Sequence, residues 1–175
     1  WHWKERGGLI HYDKEPLLSD DRLQNMKRHF LVAYCGAPHA SADINGTWIR
    51  QFLAGRFRAE WQEIVEATKG FIQAFTAGDY GEAARWMNRE TAIRRELTPD
   101  VLDHLGLRLM EAALNLNCGA RFAGAGGGGC LWAIGEAGDM EKLKNEWADI
   151  LKARADAMIL DTDVDPEGLR VENIR

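Results

Sequence analysis

Serine is nearly missing from this chain of 175 residues: Ser19 and Ser41 are the only two. No Ser-Ser pair and no Gly-Lys-Ser/Thr run exists, so the chain cannot build either of those phosphate-wrapping loops by itself. Cysteine is scarce as well. Cys35, Cys118 and Cys130 are odd in number and lack C-x-x-C spacing, which suits buried thiols in a reducing cytoplasm better than a disulfide framework or a zinc site. Basic residues do not dominate: 22 stand against 27 acidic ones, for a net charge of −5. That balance speaks against nucleic acid or an anionic membrane as a general partner, since both attract a basic face. No apolar run approaches the roughly 18 residues of a membrane span, and no secretory leader opens the chain. The five histidines show no H-x-x-x-H spacing. Asp161-x-Asp163-x-Asp165, with Glu172 beyond, imitates a calcium loop but carries Pro166 where that loop needs glycine, so no metal site is expected. Internal repeats and low-complexity linkers are absent.

What is present fits a soluble globular domain with a sizeable core: 46% hydrophobic and 28% charged residues. Glycine is plentiful, and six residues concentrate it: Gly124, Ala125, Gly126, Gly127, Gly128 and Gly129. Backbone without side chains lets amide N–H groups approach an anion closely, and glycine reaches positive φ without strain. The residues alone also allow a plain structural turn.

Around this run the pattern predicts alternating elements. Residues 1–4 and 9–12 read as two strands joined by Gly7-Gly8. A domain seldom opens in mid-hairpin, so the chain is expected to be a piece of a longer polypeptide. Residues 19–27 read as a short helix, and 30–35 as a buried strand ended by Gly36. Ser41 or Asp43 can cap a helix carrying Ile44, Trp48 and Phe52. Residues 59–77 show a clear helical stripe through Trp61, Ile64, Phe71, Ile72 and Phe75. A further helix runs from Tyr80 to about Glu96, with Arg89, Arg94 and Arg95 expected on a solvated face. Thr98-Pro99-Asp100 signals the start of the next helix, which buries Leu102, Leu105 and Leu109. Strands at 121–123 and 130–134 flank the glycines. A helix over 139–153 and strands at 157–160 and 169–174 close the chain. Long helices over a small, mostly antiparallel sheet make an α+β fold of ferredoxin-like type.

The segment from Gly119 through Arg121 to Gly129 resembles the third signature of the GHMP kinases (galactokinase, homoserine kinase, mevalonate kinase and phosphomevalonate kinase). That signature is roughly G-[AG]-K-x-[ST]-G-A-G-G-G-G. Arg121 stands at the lysine position and Ala123 at the Ser/Thr position. Tyr34-Cys35-Gly36 resembles the strand end that opens the C-terminal domain in sugar kinases of this superfamily. Ser41, Asn45 and Trp48 are loosely similar to a pattern in heptose kinases.

The resemblance implies a ferredoxin-like GHMP kinase C-terminal domain at residues 29–175, with residues 1–28 as a hairpin and connector left from an N-terminal kinase domain. It implies that Arg121 and residues 124–129 line the phosphate side of an ATP site. Mg²⁺, most of the ATP contacts and the catalytic residues would belong to the missing N-terminal domain, so this fragment alone would be inactive. Tyr34, Gly36, His39, Ser41 and Asn45 are the candidates for contact with a small-molecule substrate, expected to be a sugar or sugar phosphate. Neither nucleic acid nor membrane is implied, and the expected compartment is the cytoplasm. The residues leave two other readings open: a stand-alone ferredoxin-like module that binds or senses a ligand without catalysis, and a glycine loop that only shapes a dimer contact.

Overall fold

A computed structural model describes residues 2–13, 15–37 and 41–165. The strand expected at 169–174 lies outside the described residues, as do the side chains of Trp1, Trp3, His39, Ser41 and Asp43.

Strands β1 (His2–Arg6) and β2 (Leu9–Asp13) form a separate antiparallel hairpin. Gly7 and Gly8 both take positive φ, 61° and 79°, as the tight turn of a twisted hairpin requires. Every residue of β2 is exposed, including Leu9, Ile10 and Tyr12. Helix α1 (Asp20–Asn25) and a 3₁₀ turn at Met26–Arg28 then lead to β3 (Phe30–Tyr34). Helices α2 (Ser41–Leu53), α3 (Arg58–Ala77), α4 (Tyr80–Leu97) and α5 (His104–Asn115) follow. The chain continues through β4 (Gly119–Phe122), β5 (Cys130–Ile134), α6 (Ala137–Leu151) and β6 (Met158–Leu160).

The four later strands make one fully antiparallel sheet in the order β4-β5-β3-β6. A strand, a helical crossover, a hairpin, a helix and a last strand give the split arrangement of ferredoxin-like folds. Side chains alternate across the pleat. Leu31, Ala33, Ala120, Phe122, Leu131 and Ala133 pack on one face with Leu109 and Ala113 of α5 and Leu143 and Trp147 of α6. Trp147 is fully buried and its indole N–H donates to the Leu109 carbonyl at 2.8 Å. On the opposite face Phe30, Trp132 and Ile134 meet Phe71 and Phe75 of α3 and Tyr80 and Met87 of α4.

The helix ends follow from local chemistry. Gly78, at φ 84°, closes α3 in the left-handed conformation, and Asp79 then caps α4 by accepting from the Glu82 amide at 2.8 Å. The Arg22 guanidinium donates to the Phe75 and Thr76 carbonyls and so satisfies the end of α3. One boundary differs from expectation. Thr98-Pro99-Asp100 opens only a 3₁₀ turn at Pro99–Val101; Leu102 is extended, and α5 starts at His104 under an Asp103 cap. Leu102, Leu105 and Leu109 are buried as expected. Among the described residues no helix is long and apolar enough to cross a membrane.

At Gly119 α4 lies close against the sheet: an added Cβ would stand 2.7 Å from the Ala84 Cα and carbonyl oxygen. Gly119→Ala should therefore lower unfolding free energy by about 1–3 kcal/mol through overpacking, read as a lower urea midpoint.

Candidate functional site

The hairpin between β4 and β5 carries the glycine run. Its base is closed by the Ala123 amide donating to the Cys130 carbonyl at 2.8 Å. Gly124, Gly126, Gly127, Gly128 and Gly129 all take φ between 67° and 123°, a region that side chains rarely tolerate. Ala125, between them, is 4% exposed and anchors the loop in the core.

Two contacts set the loop's path. At Gly126 an added Cβ would lie 2.4 Å from the Val101 carbonyl oxygen. The next amide, Gly127, donates to that same carbonyl at 2.9 Å. Beyond it, Gly129 pairs with the continuation of β3: its amide donates to the Ala37 carbonyl at 2.9 Å and its carbonyl accepts from the Cys35 amide at 2.8 Å. The amides of Gly127 and Gly129 therefore serve the domain itself. The Gly128 amide between them donates to no acceptor among the described residues. Residues 127–129 stay half-exposed. Cavities of about 760, 250 and 380 Å³ in this chain are lined by other residues.

The turn that supplies the Val101 carbonyl is held from two sides. The Val101 amide donates to the Thr98 carbonyl at 3.2 Å, and the Thr98 hydroxyl accepts from the Trp48 indole N–H at 2.8 Å. Asp103, which caps α5, pairs with Arg154 at 2.8 Å, and Arg154 also donates to the Cys35 carbonyl at 2.5 Å. Burial first, and the Asp103 charge second, push the Cys35 thiol up to about 11, so it is a neutral packing group near neutral pH. The side-chain links from Trp48 and Arg154 were not legible in the sequence, because each joins residues distant along the chain.

The sequence candidates separate spatially. Gly36 sits beside the loop, at φ 68°, where a Cβ would press within 2.9 Å of the Ala157 amide nitrogen and Arg154 Cδ; close packing alone explains the glycine. Tyr34 is half-buried opposite Cys130 and Met158. Asn45 is exposed on α2, which Ile44 and Trp48 pin to the core. Ser41 begins α2, and its side chain, like the whole of His39, lies outside the described residues.

Arg121 projects from β4 toward α4. Its Nε donates to Glu90 at 2.8 Å, and its Nη1 donates to the Phe122 carbonyl at 3.0 Å. Arg94, expected on a solvated face, instead pairs with the same carboxylate and stacks over Trp48 at 4.6 Å and Trp61 at 5.6 Å. Arg89 does lie exposed, paired with Glu63. Burial pushes the Glu90 carboxyl upward, but the hydrogen bonds and charges of Arg121 and then Arg94 outweigh it and hold the group below its ordinary range.

Residues 71–153 match the family model described as GHMP kinases C terminal. This stretch is a GHMP kinase C-terminal domain. The match runs from within α3 through the glycine loop to the end of α6. A mevalonate kinase from Thermococcus gammatolerans is 29% identical over 185 aligned residues, covering 96% of this chain and 49% of the relative. The fold resembles Streptococcus pneumoniae phosphomevalonate kinase (22% identity, TM-score 0.61, 75% of this chain and 38% of that one). It also resembles L. major mevalonate kinase solved in complex with R-mevalonate (19% identity, TM-score 0.58, 71% and 38%). Likeness at those identities concerns the fold. The chain spans about half the length of the curated relative it matches. These relatives are mevalonate-type kinases; a special closeness to sugar kinases finds no support among them.

A lowered folded-state pKa gives Glu90 a stabilising contribution that is complete above the ordinary value of 4.5 and lost as pH falls through the folded value. Glu90→Gln should be destabilised on the order of 3 kcal/mol near neutral pH, since it leaves two guanidinium groups without their anion. Its stability should also respond less to acidification than the parent's, as urea midpoints against pH will register.

Proposed function

We propose that this chain is the C-terminal half of an ATP-dependent kinase that phosphorylates a hydroxyl group of a small molecule. The single observation that carries the reading is the state of the Gly128 amide. It is flanked by two glycine amides already engaged inside the domain, it is half-exposed, and it donates to no acceptor among the described residues. Unpaired main-chain donors on bare glycine backbone attract anionic oxygens. The family membership of residues 71–153 supports the same reading.

In this reading ATP lies in a groove between this domain and an N-terminal half. Phosphoryl transfer depends on alignment and charge neutralisation more than on covalent help. The loop contributes bare backbone that lets the opposite half and the phosphates approach. Among the described residues no group of three His, Cys, Asp or Glu side chains converges on a cation position. Mg²⁺ would be held by the other half, where it neutralises phosphate charge. Arg121 adds a positive potential from below the loop, already shared with Glu90. Tyr34, Gly36 and Asn45 lie on or near the strand and helix that flank the loop, and the acceptor would enter on their side.

For the acceptor, Tyr34-Cys35-Gly36 favours a sugar or sugar phosphate. The 29% identical mevalonate kinase favours a branched hydroxy acid of the mevalonate type. A panel of both classes with ATP, assayed on the full-length polypeptide, decides between them.

The isolated chain should show no ATP-dependent phosphorylation of any panel member. In the full-length enzyme Gly128→Ala should lower kcat by about 10²-fold while the protein stays folded, because φ 123° is closed to alanine. Unchanged kcat in that variant removes the proposed role. Gly126 is the poorer test position, since a side chain there collides with Val101 and perturbs the domain itself.

A further inference from the structure

On the far face of β4 from α5, a cavity of about 250 Å³ opens between α3, α4 and the sheet. Its walls are aromatic: Phe71 from α3, Trp86 from α4 and Trp132 from β5. Its polar end is the Arg94–Glu90–Arg121 cluster. The side chains of Arg94 and Arg121 are 15% and 23% exposed, and that of Glu90 is 9% exposed.

Two guanidinium groups share one carboxylate here, which leaves one positive charge in excess in a largely dry setting. Excess charge of this kind is costly unless an anion completes it. Donors are in excess too. A guanidinium offers five N–H groups. Among the described residues Arg94 engages a protein oxygen only through Nε, toward Glu90. Arg121 uses Nε and Nη2 on Glu90 and Nη1 on the Phe122 carbonyl. Both arginines line the cavity, and the Arg94 guanidinium also stacks over Trp48 and Trp61.

The aromatic wall is held open by a feature that costs helix stability. Gly70 lies inside α3, where glycine is unfavourable by roughly 0.5–1 kcal/mol relative to alanine. An added Cβ there would stand 2.4 Å from Trp86 Cε2 and 2.5 Å from Trp86 Cδ2. The glycine lets the indole lie against α3, where it forms one wall of the cavity. A cavity of about 150 Å³ accepts a benzene ring, so this one has room for a ring with a carboxylate.

We propose that this pocket is a binding site for a small carboxylate carried on a planar apolar body, the carboxylate meeting the Arg94 and Arg121 N–H groups and the body lying between Phe71, Trp86 and Trp132. The proposal shares only Arg121 with the kinase reading and does not rest on it. It concerns the opposite face of the sheet from the core that seats Ala125, and it makes no use of the loop's amides. Planar forked donors suit a planar two-oxygen acceptor, and aromatic walls suit a flat body.

The test is a titration of the intact chain with benzoate, followed by tryptophan fluorescence, with benzamide and inorganic phosphate as parallel probes. Saturable quenching by benzoate in the millimolar range, with benzamide at least about tenfold weaker, is the expected result. Arg94→Gln and Arg121→Gln should each weaken benzoate by about tenfold or more with unchanged far-ultraviolet circular dichroism. Should either variant fail to fold, Gly70→Ala provides the second test. It drives Trp86 toward the cavity, leaves both arginines in place, and should abolish benzoate binding. Equal affinity for benzamide overturns the charge assignment. Equal or tighter binding of phosphate overturns the carboxylate assignment. Undiminished benzoate binding in Gly70→Ala places the ligand elsewhere and ends the proposal.

Discussion

The carbonyl of Val101 is the fixed point on which the loop end of this domain depends. It accepts the Gly127 amide and sits so close to Gly126 that no side chain fits there. A carbonyl inside an α-helix is already committed to the amide four residues on. This one is available because the chain makes a single 3₁₀ turn at Pro99–Val101, extends through Leu102 and only then begins α5. The interruption between α4 and α5 and the shape of the glycine hairpin are thus one constraint seen from two segments of chain.

Long-range polar links hold that arrangement in register with the rest of the molecule. Trp48 ties α2 to Thr98, and Asp103 ties the start of α5 through Arg154 to the end of β3. Each link is half-buried and charge-assisted or made by an indole, so each has more directional value than an exposed surface pair. The sheet itself is apolar on the α5–α6 side. On the α3–α4 side it mixes aromatic packing with a buried carboxylate between two arginines.

Much of the architecture was legible in the chain because it rests on local signals. The helical stripe from Trp61 to Phe75, the glycine pair of the first hairpin and the short strand β5 after the glycine run all act within a few residues of themselves. The glycine run told its own story for the same reason: positive φ at five positions is a property of the backbone alone. Thr98-Pro99-Asp100 misled because a Pro-Asp start suits a 3₁₀ turn as well as an α-helix, and the demand for a free carbonyl comes from residues 126 and 127. The pairing of Arg94 and Arg121 escaped the sequence for a related reason. Their common partner, Glu90, is four residues from one and 31 from the other, and pairing across that span follows from tertiary packing. Whether the acceptor is a sugar or a mevalonate-type acid is beyond the local signals, since specificity needs side chains whose positions depend on both walls of a cleft.

The first hairpin carries a consequence for handling the protein. Among the described residues β1 and β2 pair with no third strand, an arrangement that is marginal in water by itself, and β2 leaves Leu9, Ile10 and Tyr12 in solvent. An open ladder edge beside apolar side chains is a template for adventitious strand addition between molecules. Dilution, mild chaotrope or a solubilising fusion at that end would keep the sample monodisperse, and light scattering would rise with concentration from this ribbon before the helical body loses any of its order.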